Sequence, residues 1–194
     1  DQLLHPQYET TAKYDVLAKG LNASPGAATG AVVFSSADAE AFKEAGKPSI
    51  LVRWETTPDD LKGMVAAEGI LTSHGGKTSH AAVIARGMGA PCVCGVEALH
   101  IDAPNKECKV AGTDVVLHEG DIISIDGTTG DVIQGEVPLV RPQLGGDLET
   151  ILDWADEGRK DPARGRVSGV RANADNPADA QLSADNGAEG IGLD

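Results

Sequence analysis

The sequence predicts a mixed α/β domain, from two patterns in the first half of the chain and one in the second. Short apolar, β-branched runs at Gly30–Ser35, Ser49–Arg53 and Gly69–Ser73 have the length and composition of buried strands. Segments with helical spacing lie between them, at Ala37–Ala45 and Asp59–Glu68. This order predicts parallel strands joined by crossover helices. The second helix is expected to present an apolar face made of Leu61, Met64 and Val65.

The second half of the domain is predicted to add antiparallel strands. Lys106–Ala111 and Asp114–Leu117 have the pattern of shorter, more polar strands. Asp121–Asp126 and Asp131–Gly135 flank the turn sequence Gly127–Gly130, which predicts a hairpin. Together these segments predict one layer of strands packed on another, with helices covering the outside.

The first 19 residues are predicted to form a connector. Asp1–Lys19 has a proline near its start and then weak helical periodicity, which indicates an extended entry followed by a short helix. The turn Ala23–Gly26 then begins the domain proper, because its proline and glycine favour a tight reversal.

A second, smaller set of elements is predicted towards the end of the chain. Prolines and glycines interrupt any regular element between Pro138 and Gly146, which marks the expected domain edge. An amphipathic helix is predicted over Asp147–Lys160, with apolar positions at Leu148, Ile151, Leu152 and Trp154. A strand, helix, strand series is predicted after it, at Val167–Asn173, Pro177–Asn186 and Glu189–Leu193.

Length and charge limit the class of protein. A chain of 194 residues holds one full domain plus connecting segments. Its formal net charge of −14 argues against nucleic-acid or anionic-membrane surfaces, because such partners need clustered Lys and Arg. Neither a membrane-spanning apolar run of about 20 residues nor a signal peptide is recognised, so a cytoplasmic location is expected.

The three cysteines predict neither a disulfide framework nor a metal site. Cys92 and Cys94 alternate within a predicted strand, and we expect their side chains on opposite faces of it. The C-x-C spacing has no second ligand pair to complete a zinc site. With Cys108, the cysteines are interpreted as buried, reduced thiols, and no metal ligand is assigned.

The candidate site centres on one histidine, His80, in the stretch Gly75–Gly95. Thr78 or Ser79 is a potential cap for the helix that follows, so His80 is expected in its first turn. There the unpaired backbone N–H groups and the helix dipole stabilise an attached dianion and disfavour imidazolium. The ring is therefore a candidate phosphoryl nucleophile, and the alternative is an ordinary surface or capping histidine.

Neighbouring residues have weaker assignments. Gly75 and Gly76 suit a close approach of the backbone to phosphate, but paired glycines are also common in turns. Ser79 is expected to cap, and Lys77 either adds positive charge or is simply solvated. Arg86 lies about 120° around the helix from His80, which favours a structural salt bridge over phosphate contact.

Four segments, at 1–7, 20–34, 78–89 and within 169–193, together resemble one known family, the pyruvate phosphate dikinases. TSHAAVIARGMG, which contains His80, is similar to the phosphohistidine signature of that family, and GLNASPGAATGAVVF at 20–34 is similar to the start of the same domain. The segment DQLLHPQ at 1–7 and the segments within 169–193 resemble the flanking regions. Phosphoenolpyruvate synthases and enzyme I of the sugar phosphotransferase system share looser forms of the first two motifs.

The resemblance implies a domain organisation. Residues 20–137 are expected to form the swivelling β/β/α phosphohistidine domain, after a connector at 1–19 that leads from an ATP-binding region outside this sequence. A linker with a helix is expected at 138–166. Residues 167–194 are then expected to be the first β-α-β unit of a truncated (β/α)8 barrel that binds phosphoenolpyruvate and pyruvate.

The resemblance also implies an activity. Dikinases convert ATP, phosphate and pyruvate into AMP, pyrophosphate and phosphoenolpyruvate, and a histidine shuttles the phosphoryl group between the ATP-binding and pyruvate-binding domains of one polypeptide. His80 matches that histidine, and Thr78 matches a threonine whose phosphorylation switches plant members off. The complete enzyme is expected to use Mg²⁺ and to be a homodimer, while this segment needs no cofactor. We expect the segment to accept and donate phosphoryl groups without catalysing the full reaction.

Two alternatives remain at this stage. One is the carrier domain of a phosphoenolpyruvate synthase or of a related phosphotransferase. The other is a non-catalytic module that uses its glycine loop for docking. Phosphate that is acid-labile and base-stable on the wild-type chain distinguishes a carrier from a docking module.

Overall fold

The computed structural model describes residues 6–8, 14–140, 150–151, 154–155, 157–158, 169, 171–174, 177–185 and 188–192. The chain divides into two compact units, Asp1–Gln143 and Leu144–Asp194. The strands of the first unit are β1 (Gln7–Tyr8), β2 (Val16–Lys19), β3 (Leu21–Ser24), β4 (Ala27–Val33), β5 (Ser49–Arg53), β6 (Gly69–Thr72), β7 (Cys92–Cys94), β8 (Leu99–Asp102), β9 (Glu107–Val110), β10 (Val116–His118), β11 (Ile122–Asp126), β12 (Asp131–Gln134) and β13 (Leu139–Val140). Its helices are α1 (Ser36–Glu44), a 3₁₀ turn (Pro58–Asp60), α2 (Leu61–Ala66) and α3 (His80–Met88).

A large sheet with strand order β2-β12-β11-β4-β5-β6-β7-β3 forms the centre of the first unit. The four strands β4 to β7 are parallel neighbours, joined through α1, α2 and α3, as the sequence predicts. The flanking strands pair antiparallel. The predicted hairpin is confirmed, since β11 and β12 pair with Asp126 opposite Asp131. Separately, β1 and β13 form a short antiparallel pair.

The first unit has the layer order sheet, sheet, helices. One apolar core lies between the large sheet and a smaller antiparallel sheet, β10-β9-β8, and includes Phe34, Ile50, Leu99 and Leu117. A second core lies between the opposite face of the large sheet and the helices, and includes Met64 of α2. Burying each large apolar side chain contributes roughly 1.5–3 kcal/mol. The predicted packing of strand layers under helices is therefore present, although the strand β8 was not predicted.

The short helix predicted near the start of the chain is wrong over Val16–Lys19. These residues form β2, which pairs antiparallel with β12 at the edge of the large sheet. Leu17 and Ala18 pack against the core between the two sheets. The open edge of β12 supplies backbone hydrogen-bond partners, and this long-range pairing outweighs a weak local helical pattern. Residues 1–5 and 9–13 of the predicted connector lie outside the described residues.

The predicted apolar face of α2 is also only partly correct. Met64 is buried, but Leu61 and Val65 are 45% and 55% exposed. The buried face instead contains Gly63 and Ala66. A Cβ atom on Gly63 would lie 2.5 Å from the Cα of Ser36, so the missing side chain lets α2 approach the start of α1 closely and sets which face turns inward.

The second unit contains a parallel strand pair. β14 (Arg171–Asn173) and β15 (Gly190–Gly192) pair in parallel, and α4 (Pro177–Asp185) connects them, as the predicted strand, helix, strand series requires. Within the predicted helix at 147–160, the described residues 150–151, 154–155 and 157–158 are helical. Ile151 and Trp154 are exposed, while Leu148 and Leu152 lie outside the described residues. The predicted interruption of regular structure at 138–146 is wrong at Leu139–Val140, because these residues pair with β1 and form β13, and residues 141–146 lie outside the described residues.

Candidate functional site

His80 is the first residue of α3, which follows β6 through the loop 73–79. Ser79 is the N-cap residue, and its Oγ accepts a hydrogen bond from the N–H of Ala82 at 3.4 Å. The prediction of a capped helix that starts at His80 is confirmed, with Ser79 as the cap. Thr78 is exposed in the turn before it.

The imidazole of His80 is held through one of its two nitrogens. Nδ1 lies 3.2 Å from Oγ1 of Thr56, a buried residue that follows β5. His80 follows β6, and the carboxyl ends of adjacent parallel strands meet at one edge of a sheet. Among the residues that the structure describes, Nε2 of His80 has no hydrogen-bond partner. The half-buried ring is thus fixed at Nδ1, and Nε2 is the nitrogen left for chemistry.

Sequence reasoning missed Thr56. No motif contains it, since it lies 24 residues before His80. A usable signal did exist, because two successive predicted strands that are joined by a helix place the residues after them at the same sheet edge. Polar residues directly after Arg53 were therefore candidates to meet the His80 loop.

The backbone of the loop before His80 is confined by two glycines. Gly75 has a φ of +97°, a conformation that residues with a side chain rarely adopt. Gly95, which follows β7, contacts this loop and has a φ of +64°. A Cβ atom on Gly95 would lie 2.7 Å from the carbonyl oxygen of Gly75. Gly76 has open space around it. Of the two glycines assigned from the sequence, Gly75 has the conformation that requires glycine.

A stacked ring pair joins this loop to the segment that carries Thr56. The rings of Trp54 and His74 are parallel within 3°, with centroids 4.7 Å apart. The N–H of His74 also donates to the carbonyl oxygen of Trp54 at 2.9 Å. The loops after β5 and β6 therefore contact each other at the His80–Thr56 hydrogen bond and again at this stack.

Arg86 stabilises the loop, but not through the predicted salt bridge. Its Nη1 and Nη2 each donate a hydrogen bond of 2.8 Å, to the carbonyl oxygens of Ala23 and Lys77 respectively. A guanidinium offers several donors in a fixed fork, so it can hold two carbonyls of different segments at once. The prediction that Arg86 has a structural role away from the His80 face is thus correct, and the predicted carboxylate partner is wrong.

Comparison with known families identifies this region. The model of the mobile domain of PEP-utilising enzymes matches residues 45–130, which include β5, β6, α3 and His80. Residues 45–130 are therefore similar to the mobile domain of this enzyme family. This similarity agrees with the resemblance noted in the sequence.

Matches to curated proteins extend over the whole length of this chain. This chain is 51% identical over 193 residues to a pyruvate, phosphate dikinase of Rhizobium meliloti. The alignment covers 100% of this chain and 20% of that protein. The chain is 53% identical over 194 residues to a pyruvate, phosphate dikinase of Entamoeba histolytica, covering 100% of this chain and 21% of that protein. The chain thus spans about a fifth of the length of the curated relatives it matches. A solution structure of Enzyme I matches 57% of this chain and 36% of that chain at 23% identity, with a TM-score of 0.31.

Two cysteines of β7 lie next to the capping residue of α3, and their predicted arrangement is wrong. Cys92 and Cys94 point to the same face of β7, with their Sγ atoms 3.5 Å apart. Residues i and i+2 of a strand share one face, so the alternation should have predicted this. The Cys94 Sγ also lies 3.7 Å from Oγ of Ser79. All three cysteines are buried and free, as predicted, and Cys108 lies elsewhere, in the core between the sheets.

The two thiols have opposite pKa shifts. Hydrogen bonding from Cys92, and more weakly from Thr72 and Ser79, lowers the pKa of Cys94 from 9.0 to about 6, against the opposing effect of burial. The same hydrogen bond, with burial, raises the pKa of Cys92 well above its usual value. One negative charge is thus favoured on the pair, on the thiol that lies closer to the electropositive start of α3.

The depressed Cys94 pKa predicts a pH dependence of stability. A thiol whose folded pKa lies below its unfolded value contributes stability above about pH 9, and this contribution is lost as the pH falls towards about 6. The difference between the free energies of unfolding of wild type and of Cys94→Ser is expected to shift against wild type between pH 9 and pH 6. The shift is at most about 1.4 kcal/mol per pH unit. Urea unfolding of both proteins across this range measures the effect. If the free energies of unfolding of wild type and Cys94→Ser changed with pH in parallel, a stabilising role of the Cys94 thiolate would be contradicted.

The remaining predicted histidines and Lys77 are either exposed or outside the described residues. His100, His118 and Lys77 are exposed, and His5 is not among the described residues. In the described part of the chain, no group of three or more His, Cys, Asp or Glu side chains could hold a metal ion. Also within the described residues, no helix is long and apolar enough to cross a membrane.

Proposed function

We propose that this chain is the phosphoryl-carrier region of a pyruvate phosphate dikinase, with His80 as the residue that carries phosphorus. The complete polypeptide would convert ATP, phosphate and pyruvate into AMP, pyrophosphate and phosphoenolpyruvate. The observation that carries the proposal is a histidine at a capped helix start, in a region that matches the mobile domain of PEP-utilising enzymes. Its ring is held at Nδ1, and its Nε2 has no partner among the residues that the structure describes. The identity of about half over the full chain to named dikinases supports the same reaction.

The hydrogen bond to Thr56 determines which nitrogen acts. If the Thr56 hydroxyl donated to Nδ1, the proton of the neutral ring would be on Nε2, and neither nitrogen would have a free lone pair. If Nδ1–H donates to Thr56 Oγ1, the lone pair of Nε2 is free. The reactive tautomer is therefore the one protonated at Nδ1.

The transfer then needs no proton acceptor at the ring. Nε2 attacks phosphorus in line, a nitrogen–phosphorus bond forms, and the bond from phosphorus to the leaving oxygen breaks. The proton stays on Nδ1, where the developing positive charge strengthens its hydrogen bond to Thr56. In the second half of the cycle the nitrogen–phosphorus bond breaks and the ring leaves as the same neutral tautomer.

The helix start favours the phosphorylated state. A dianion attached at the first residue of α3 lies near the unpaired N–H groups of the first turn, a position that stabilises negative charge by up to about 2 kcal/mol when partly buried. In this proposal Gly75 and Gly76 allow the backbone to approach the phosphoryl group, and Ser79 maintains the helix start. Phosphorylation of the exposed Thr78 would place a second anion in the turn next to His80 and so oppose transfer.

The wider organisation is part of the same proposal. Residues 20–137 would form the swivelling domain, 1–19 its connector, 138–166 the linker with its helix, and 167–194 the start of the (β/α)8 barrel. Its partners would be the ATP-binding and pyruvate-binding domains of one polypeptide, in a homodimeric cytoplasmic enzyme. Among the described residues, no three or more acidic, histidine or cysteine side chains come together as a metal site, and no step proposed here is routed through Mg²⁺.

Labelling of the complete polypeptide tests this function. ATP labelled at the β-phosphate, with phosphate present, is expected to give an acid-labile, base-stable phosphoprotein, and added pyruvate is expected to remove the label as phosphoenolpyruvate. Without any such phosphoprotein, the docking-module alternative is favoured. Phosphoenolpyruvate that forms equally fast without added phosphate would favour a carrier of another reaction, because a dikinase needs phosphate as the acceptor that leaves as pyrophosphate.

Thr56→Val is expected to slow phosphorylation of His80. The change removes the acceptor of the Nδ1 proton and leaves a similar volume, and a hydrogen bond to a charged ring is worth about 1.5–3 kcal/mol, or roughly 10- to 150-fold in rate. Single-turnover labelling measures the rate. Thr56→Ser keeps the hydroxyl and is expected to remain within a few-fold of wild type; equal rates for wild type and Thr56→Val would rule out a role for this contact.

A further inference from the structure

A buried carboxylate, Asp60, lies under the segment that carries Thr56. Asp60 is only 5% exposed. Its Oδ2 accepts two hydrogen bonds from Thr57, one from the backbone N–H at 2.9 Å and one from Oγ1 at 3.2 Å. Because Thr57 is the next residue after Thr56, these bonds fix the chain at the point where the Thr56 side chain turns towards His80.

The other oxygen of Asp60 reaches different elements of the fold. Oδ1 accepts a hydrogen bond from Oγ of Ser36, at the start of α1, at 3.3 Å. It also lies 3.4 Å from Nε of Arg53, the last residue of β5. Arg53 in turn donates from Nη1 to the carbonyl oxygen of Phe34 at 3.1 Å. The carboxylate therefore anchors Thr57 to the end of β5 and, through two side chains, to the segment between β4 and α1.

Residues 54–57, the segment that Asp60 anchors, contact His80 and the loop before it at two places. Thr56 Oγ1 meets Nδ1 of His80, and the ring and carbonyl oxygen of Trp54 meet His74. The side chains of Asp60 and His80 share no hydrogen bond in the described structure, so Asp60 can influence the imidazole only through the position of residues 54–57. A fixed orientation of the second ring nitrogen is what determines the tautomer of a histidine.

We propose that Asp60 is a positioning residue for phosphoryl transfer, which holds residues 54–57 so that Thr56 Oγ1 accepts the Nδ1 proton of His80 and Nε2 keeps its lone pair. The transfer part of this inference rests on the proposed function. The effect on the ring does not, because it exists before any phosphate arrives. A charged acceptor suits the role, since hydrogen bonds to a carboxylate are shorter and about twice as strong as neutral ones.

The tautomer of His80 in the unphosphorylated chain is the first readout. Long-range ¹H–¹⁵N correlation spectra of the labelled chain separate a protonated ring nitrogen from one with a lone pair. Wild type is expected to have its proton on Nδ1, and Asp60→Asn is expected to give a mixture of the two tautomers. Asp59→Asn removes one charge at the neighbouring exposed position and is the matched control, expected to resemble wild type.

The site of phosphorylation is the second readout. Phosphoramidate transfers a phosphoryl group to histidine without any partner domain, and ³¹P spectra distinguish phosphate on Nδ1 from phosphate on Nε2, with His80→Asn identifying the signals of His80. The ratio of Nε2 to Nδ1 phosphate on His80 is expected to fall roughly tenfold in Asp60→Asn, the factor that loss of one hydrogen bond of about 1.4 kcal/mol produces. Asp59→Asn should keep the wild-type ratio.

Folding of the variant is checked in the same samples by the dispersion of the amide resonances. If Asp60→Asn does not fold, Thr57→Val replaces it, because this change removes one of the two donors to Oδ2 and leaves the carboxylate with its other partners. A smaller shift in the same direction is then expected. A folded variant with the wild-type tautomer and the wild-type phosphate ratio overturns the inference.

Failure of the proposed function is distinguishable from failure of this inference. A tautomer change in Asp60→Asn supports the positioning role even if the complete polypeptide never phosphorylates His80. Normal phosphorylation of His80 in a folded Asp60→Asn variant, with an unchanged tautomer, leaves the carrier function in place and removes Asp60 from it.

Discussion

His80→Asn is expected to abolish phosphoprotein formation and turnover by the complete polypeptide. The amide nitrogen of asparagine has no lone pair available for attack, because it is delocalised into the carbonyl group, whereas Nε2 of the imidazole is free of partners among the described residues. Removing a covalent nucleophile eliminates the two-step route, and a loss on the order of 10⁴-fold or more in turnover is expected. The measurement is acid-labile label from β-labelled ATP, together with phosphoenolpyruvate production.

The matched control is His100→Asn, the same substitution at an exposed residue of β8. It is expected to leave both labelling and turnover unchanged. Because His80 is half-buried at a helix start, the melting temperature of His80→Asn should be compared with that of the control before the activities are interpreted. If a folded His80→Asn variant still forms the acid-labile phosphoprotein, the carrier is another residue.

Gly95→Ala is expected to have the second largest effect. Its φ of +64° is strained for any residue with a Cβ, at a cost of about 1–3 kcal/mol. The added Cβ would also lie 2.7 Å from the carbonyl oxygen of Gly75, so the loop before His80 has to move. A shift of reacting groups by about 1 Å can cost about 100-fold in rate, so a fall of roughly 10-fold or more in phosphorylation of His80 is expected along with the loss of stability.

Gly89→Ala separates these two effects. Gly89 ends α3 with a φ of +67°, but a Cβ atom there would meet nothing within 4 Å. It should therefore lose a similar free energy of unfolding from backbone strain while phosphorylation stays near the wild-type rate. Urea unfolding and single-turnover labelling of both variants give the comparison. Equal rates in the two variants would show that contact between Gly95 and Gly75 does not position the loop.

The elements that could be predicted are those whose signals are local. Ser49–Arg53 and the hairpin of β11 and β12 follow from runs of apolar residues and a glycine turn, and the structure contains both. Val16–Lys19 was misassigned because its strand depends on β12, more than a hundred residues away in the chain. The side on which α2 is buried depended on the absence of a side chain at Gly63, which no periodicity of apolar residues records.

In the candidate site, too, only the residues with local sequence signals could be predicted. His80 and its cap are readable because a capping residue, a helix-forming run and the histidine are adjacent in sequence. Thr56 and Asp60 have no such neighbours, and their relation to His80 exists only once β5 and β6 lie side by side. The partners of Arg86 are backbone carbonyls, which every residue possesses, so no sequence pattern could have named them.

The most direct measurement is the location of the phosphoryl group after a single turnover of the complete polypeptide with β-labelled ATP and phosphate. Fragmentation of the peptides under alkaline conditions assigns the phosphate to one residue, and long-range ¹H–¹⁵N spectra of the phosphorylated protein assign it to one nitrogen. The account predicts phosphate on Nε2 of His80. Phosphate on Nδ1, on Thr78 or Ser79, or on another histidine would contradict it.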